Sequence, residues 1–214
     1  FYDFEGEENE ALRAAGGALI VTGATGTLTV GAEKAIDKCL KNKIPMVVFI
    51  NGVDKDNADY AGTVAALKEK YAGKIAPIQI PLMEGNKMVG YINALKETCY
   101  HFADEAKKQP VPIPEELKGT LAEMQASLTE TAAENDEALL DKYFEEGALT
   151  KEEIIHGIRK GIYNVTTIPV MAGSALQNRG IINLMDEIVK YMPSAEERRE
   201  MLASGVDKDE LVSV

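Results

Sequence analysis

The residues able to do chemistry sit just behind apolar runs. Asn51 and Asp54 follow the run 46–50 in the string Asn51-Gly52-Val53-Asp54. A carboxylate accepts two parallel hydrogen bonds from a planar donor pair, and the N1–H and N2–H2 edge of guanine is such a pair. Asp54 is placed to make those bonds, with Asn51 tying neighbouring loops together. Ser174, Ala175 and Leu176 follow a second run, 168–172, and their backbone N–H groups are candidate donors to guanine O6. A third stretch, Thr22-Gly23-Ala24-Thr25-Gly26, is a glycine-rich turn that looks like a dinucleotide loop. Each segment alone is weak. The first two, each at the end of a strand-like run, in this order and with helices between, form a pattern.

The other candidates fall away. The glycines of 22–26 are similar to the dinucleotide loop of short-chain dehydrogenases, but Thr29 stands where that loop needs its third glycine. No Tyr has a Lys four residues later: Tyr60 meets Val64 and Tyr163 meets Thr167. A plain strand-to-helix turn is the simpler reading, and a dehydrogenase is left as a distant third. His101 and His156 are too few and too far apart for a metal site, and no metal ligands are assigned. Ser174 lacks the Gly-x-Ser-x-Gly turn of a hydrolase nucleophile. Cys39 and Cys99 form no C-x-x-C pair, which excludes a zinc ribbon and points to a reducing, cytoplasmic setting.

The elements that position these segments are legible from periodicity. Runs 18–22 and 46–50 are continuous and apolar, as in parallel strands buried on both faces. Stretches 32–43 and 59–71 carry helical stripes. This order predicts a right-handed, doubly wound parallel sheet. Run 75–82 contains Pro77 and Pro81, so it must be an edge or irregular strand, with 88–92 as its partner. Pro110, Pro112 and Pro114 make a stiff connector. Stretch 115–153 then reads as acidic helices, with Leu121, Met124, Leu128, Leu139, Leu140, Tyr143 and Phe144 facing inward. Thr150 and Glu153 form a capping box. Strand 168–172 and helix 181–191 resume the core, and Ser194 with Glu197 opens a last helix that Gly205 ends.

The net charge of −12 disfavours nucleic-acid binding through bulk positive charge. Segment 14–32 is uncharged but rich in Gly and Thr, the wrong composition for a membrane span. The domain reading is 1–75 with 166–193 as one α/β core, 76–165 as an α/β or α+β insert, and 194–214 as helix and linker.

Taken together, these segments resemble the GTP-binding domain of elongation-factor-G-like translational GTPases. The string FINGVDKDNADY resembles that family's F-I-N-K-x-D segment, and VMAGSALQNRGIINLMDEIVKYMPSAEER its G-S-A-L region, helix and linker. IAPIQIPLMEGNKMVGYINALKETCY resembles the opening of the insert within the family's GTP-binding domain. The resemblance implies a truncated P-loop-GTPase-type sheet with flanking helices. It makes Asn51, Asp54, Ser174, Ala175 and Leu176 the guanine-binding residues. For the parent it implies GTP or GDP with Mg, hydrolysis coupled to ribosomal translocation or a related ribosome function, and contact between insert and ribosomal stalk protein.

Two departures matter. Gly52 stands where the family has a lysine whose stem packs over the guanine ring. Its loss is expected to weaken binding, and Gly52→Lys in a full-length parent to tighten it about tenfold, about 1.4 kcal/mol. Phe1, aligned with the switch-two His, cannot orient water; it is either a true departure or an accident of where the segment was cut. No G-x-x-x-x-G-K-[ST] occurs in the 214 residues, so the resemblance places the phosphate loop and the magnesium threonine before Phe1. The chain alone is then expected to bind guanine nucleotide weakly, carry no bound cofactor and hydrolyse nothing. The rival reading is a non-catalytic module whose insert binds stalk protein. Run 18–22, with its neighbouring strand missing, is an exposed edge expected to pair a second copy in a homodimer.

Overall fold

The computed structural model describes residues 4–102, 110–194, 196–197, 200–204 and 209–213. Strands β1 (Ala18–Gly23), β2 (Met46–Asn51), β3 (Ile75–Pro77) and β7 (Ile168–Gly173) form a wholly parallel sheet in the order β1-β2-β7-β3. Helices cover both faces. On one, α2 (Val30–Lys41) and α3 (Tyr60–Lys70) bury Ile36, Cys39 and Leu67 against Ile20, Val48, Ile50, Val170 and Ala172. Each large aliphatic side chain sealed there contributes about 1.5–3 kcal/mol. Thr29 Oγ accepts from Ala32 N–H at 3.3 Å and Asp59 Oδ1 from Gly62 N–H at 2.7 Å, which sets the starts of both helices. Helix α1 (Glu5–Ala14) is held to α2 by Lys38, which bonds Glu8 at 2.7 Å.

The other face joins core and insert in one apolar cluster. Val47, Phe49 and Met171 of the sheet pack with Leu184 and Tyr191 of α7 (Ile181–Tyr191). They pack equally with Leu121 and Leu128 of α4 (Glu115–Glu134) and with Ile158 and Ile162 of α6 (Lys151–Tyr163). The insert helices therefore share an apolar cluster with the sheet. Helix α5 (Glu137–Glu146) buries Leu139, but Phe144 is 77% exposed, so its inward assignment was wrong. Phe144 shares α5 with Leu139 yet points from a face that nothing covers. The Thr150–Glu153 capping box forms in both directions.

The proline-bearing run 75–82 splits. Ile75–Pro77 joins the parallel sheet as its edge. Beyond Ile78, β4 (Gln79–Glu84) turns into an antiparallel sheet with β5 (Lys87–Asn93) and β6 (Thr98–His101). Pro81 lies on the edge strand β4, where a missing N–H costs no ladder bond. Val111, in the proline-rich connector, bonds back to Cys99 at 2.8 Å.

A polar contact fastens this hairpin sheet to α7. Glu187 is 2% exposed, and its Oε1 accepts from Asn93 Nδ2 at 3.1 Å and Lys96 Nζ at 3.0 Å. Periodicity alone made this helix face look purely apolar.

Two further expectations change. Strand β1 is buried on one face only: Ile20 and Thr22 are covered, whereas Leu19 and Val21 are 45% and 54% exposed. β1 pairs with β2 on one side and with no other described strand, which leaves it an edge. Ser194 and Glu197 do exchange capping-box bonds, at 2.8 and 3.3 Å. However, the described residues beyond form no helix: β8 (Glu200–Ser204) pairs antiparallel with β9 (Asp209–Ser213). The cap is a local device and cannot by itself decide how the following chain pairs. Gly205 lies outside the described residues.

Candidate guanine-base site

Parallel strands put their carboxyl ends together. Gly23, Asn51 and Gly173 are register partners across β1, β2 and β7, so the three loops emerge side by side. Such strand ends are where open α/β sheets bind ligands.

The loops are cross-tied through their backbones. Ala24 N–H donates to Asn51 O at 3.1 Å, and Gly52 N–H to Gly173 O at 2.8 Å. Asn51 Oδ1 accepts from Ala175 N–H at 2.9 Å, the tie expected of this side chain. Ser174, 1% exposed, exchanges backbone bonds with Arg179 at 3.0 and 2.9 Å, and its Oγ accepts from Gln177 N–H at 3.2 Å. The serine hydroxyl is spent on shaping the loop.

Asp54 is half-buried and has no hydrogen-bond or ionic partner among the described residues. A carboxylate left unpaired at the rim of a tied loop is available to a ligand. The backbone donors are fewer than anticipated. Ser174 N–H is bound to Arg179 and Ala175 N–H to Asn51, so among the three only Leu176 N–H lacks a partner. Leu176 itself is 94% exposed.

The glycine-rich turn 22–26 is tied to the start of α3. Gly26 N–H donates to Thr63 Oγ at 3.0 Å, and a Cβ at Gly26 would lie 2.7 Å from Asp59 Oδ2. These glycines admit the start of α3.

Gly52 is buried with φ +79°, a left-handed conformation that favours glycine. Lysine there carries about 1–2 kcal/mol of strain. That strain is present with or without nucleotide, so it lowers the stability of the fold and does not cancel the tightening expected of Gly52→Lys. Lys55, to which sequence reasoning gave no role, lies over Gly52. The signal was a missing lysine at 52 followed by one at 55.

Phe1 lies outside the described residues. No phosphate-loop motif occurs in the sequence, and among the described residues no three His, Cys, Asp or Glu side chains converge. No helix among them is long and apolar enough to cross a membrane.

A parallel sheet wound on both faces, with an inserted antiparallel sheet and helices ahead of its last strand, is the GTP-binding domain of a translational GTPase with its insert. The elongation factor Tu GTP binding domain family matches residues 1–194, and the chain belongs to that family. It is similar to elongation factor G of Amoebophilus asiaticus (strain 5a2), with 31% identity over 212 residues, 97% of this chain and 30% of that protein. Its fold is similar to the crystal structure of ttk003000868 from Thermus thermophilus. There the TM-score is 0.83 at 29% identity, covering 93% of this chain and 30% of the other. The chain thus spans 30% of the length of both relatives.

Proposed function

We propose that this chain is the base-recognising part of a GTP-binding unit in an elongation-factor-G-like protein. Asp54 accepts from the guanine N1–H and N2–H2 edge, Leu176 N–H donates toward O6, and Asn51 with Ser174 and Ala175 holds the two loops in register. The observation that carries this reading is the unpaired Asp54 carboxylate beside a loop pair already locked by Asn51. In the whole protein, GTP or GDP with Mg is bound by residues that this chain does not supply. Its hydrolysis drives translocation or a related ribosomal step in the cytoplasm.

Most nucleotide affinity comes from phosphate and metal contacts. This chain is expected to bind GDP no better than about millimolar, some −4 kcal/mol, and to release no phosphate from GTP. Calorimetry with GDP and a phosphate-release assay test both, and a micromolar dissociation constant overturns the expectation of weak binding. Asp54→Ala is expected to abolish any preference for GMP over AMP.

A second reading concerns the insert. The segment 115–153 carries 12 acidic residues against three lysines, and Phe144 stands exposed among them. That surface supports contact with the ribosomal stalk protein, a role needing no nucleotide. Titration with purified stalk protein, with and without Phe144→Ala, separates this reading from the first.

The core and insert boundaries near 75 and 166 are part of the same proposal. So is pairing of β1 with a second copy of the chain.

A further inference from the structure

We infer that the antiparallel sheet of the insert is the support that positions both base loops, and that Arg179, stacked on the Phe102 ring, is its hold on the second of them. The inference rests on the base-binding reading above and adds to it a role for the insert sheet and two positioning residues.

The loop that Ser174 opens is poorly covered. Residues 175–178 are all exposed, and the backbone pair between Ser174 and Arg179 closes the loop. Exposed backbone bonds of that kind open readily unless a side chain ties the loop to a buried body. Arg179 supplies the tie. Its guanidinium carbon lies 5.2 Å from the centroid of the Phe102 ring, within the range of a cation–π contact. It has no carboxylate partner among the described residues, so the ring decides where the guanidinium rests. Phe102 is 6% exposed, and its ring is steadied by Tyr91 at 5.9 Å, which leans in turn on Tyr100 at 5.5 Å. All three rings belong to the insert: Tyr91 lies on β5, Tyr100 on β6, and Phe102 directly follows β6.

The same sheet reaches the first loop. Val53, beside Asp54, is buried in the apolar cluster that holds Met88, Tyr91 and Phe102. At the turn between β4 and β5, Asn86 Nδ2 donates to Asp56 Oδ1 at 2.8 Å. The sheet also holds α7, the helix that follows the second loop. Asn183 Nδ2 donates to Gln79 Oε1 at 3.4 Å, and Glu187 accepts from Asn93 and Lys96. The crevice left between the rings and the first turns of α7 is about 10 Å3, room for one water at most, so the two surfaces are packed together. Asn51 locks the two loops to each other, and the insert sheet locks the pair to a buried body. Asp54 and Leu176 N–H can read one base only when their separation is fixed. Loops frozen before the ligand arrives spare binding the cost of ordering them.

The test pairs amide hydrogen exchange with an NMR titration of the isotope-labelled 214-residue chain by GMP at millimolar concentrations, with AMP as control. Arg179→Ala is expected to lower the protection of the Ser174 and Ala175 amides and to raise the GMP dissociation constant, each by about threefold or more. Arg179→Lys, which keeps a cation over the ring, is expected to recover at least half of both losses. Phe102→Leu, which keeps apolar bulk without a π face, is expected to match Arg179→Ala, and the double variant to lose no more than either single one. Arg159→Ala, which removes a surface arginine from α6, is expected to behave like the parent. Unchanged protection of Ser174 and Ala175 in Arg179→Ala overturns this inference alone, as does GMP affinity that the substitution leaves unmoved. Losses that simply add in the double variant, or a lysine variant no better than the alanine one, also overturn it. No GMP shift in the parent chain overturns the base-site reading and this inference together.

Discussion

Asn51 Oδ1 accepts the Ala175 amide proton at 2.9 Å, joining loops 124 positions apart in the sequence. A side chain at the end of β2 thereby sets the loop that opens α7. The same bond withdraws Ala175 from the set of free backbone donors. Asn51→Ala leaves a backbone N–H without its partner, which costs about 1–3 kcal/mol. Thermal denaturation is expected to show a lowered Tm, and hydrogen exchange a selective loss of protection at Ala175. Unchanged exchange there would mean that the two loops are held apart from this bond.

The insert shares the core of the sheet. Leu128 is 2% exposed in the cluster that also holds Phe49 and Met171. Leu128→Ala is expected to destabilise the chain by about 2–5 kcal/mol, read from urea unfolding. Phe144→Ala, at an exposed site, is expected to stay within about 0.5 kcal/mol of the parent. A second transition left untouched by Leu128→Ala would show that core and insert unfold independently.

Acid is expected to loosen α5 and α6 only once the pH falls below the ordinary carboxylate range. The Lys160 hydrogen bond, at 2.7 Å, holds the Asp136 carboxyl below its ordinary pKa, and the Lys142 bond, at 2.8 Å, does the same for Glu153. Both folded values lie below the unfolded ones. The stabilisation is therefore complete above the ordinary carboxylate pKa of about 4 and is lost as pH falls through the lowered values. The protection of the Ala138 amide relative to its intrinsic exchange rate, its N–H donating to Asp136 Oδ1 at 3.0 Å, is expected to fall on acidification. Asp136→Asn is expected to flatten that response. An Ala138 amide indifferent to pH would rule out the cap as its protector.

Self-association through β1 is expected to depend on its outward residues. Leu19 and Val21 are exposed, whereas Ile20 is 6% exposed and belongs to the core. Val21→Lys is therefore the variant expected to reduce association while leaving the fold intact, and Ile20→Lys is expected to unfold the chain. With a net charge of −12 opposing contact, association should strengthen as salt screens the repulsion. A monomeric light-scattering mass for the parent at about 100 µM and moderate salt, well inside the Debye-screened regime, would refute pairing at this edge.

The sequence by itself determined the features that depend on neighbours along the chain. The apolar runs became β1, β2 and β7, the helical stripe at 181–191 became α7 to the residue, and Thr150 with Glu153 closed its capping box. Asn51, Asp54 and Ser174–Leu176 reached one end of one sheet because parallel strands joined by helical crossovers leave no other arrangement. Only the tertiary structure decided what depends on which surfaces meet. The run 75–82 had to divide at Ile78 because its halves pair with different sheets. Leu19 and Val21 lie uncovered because burial needs a facing element, and Phe144 is exposed for the same reason. Glu187 is buried because Asn93 and Lys96 come from a distant hairpin to bond it. Lys55 covers Gly52 because the turn between them folds the stem back onto bare backbone, a relation of positions in space that periodicity along the chain does not encode.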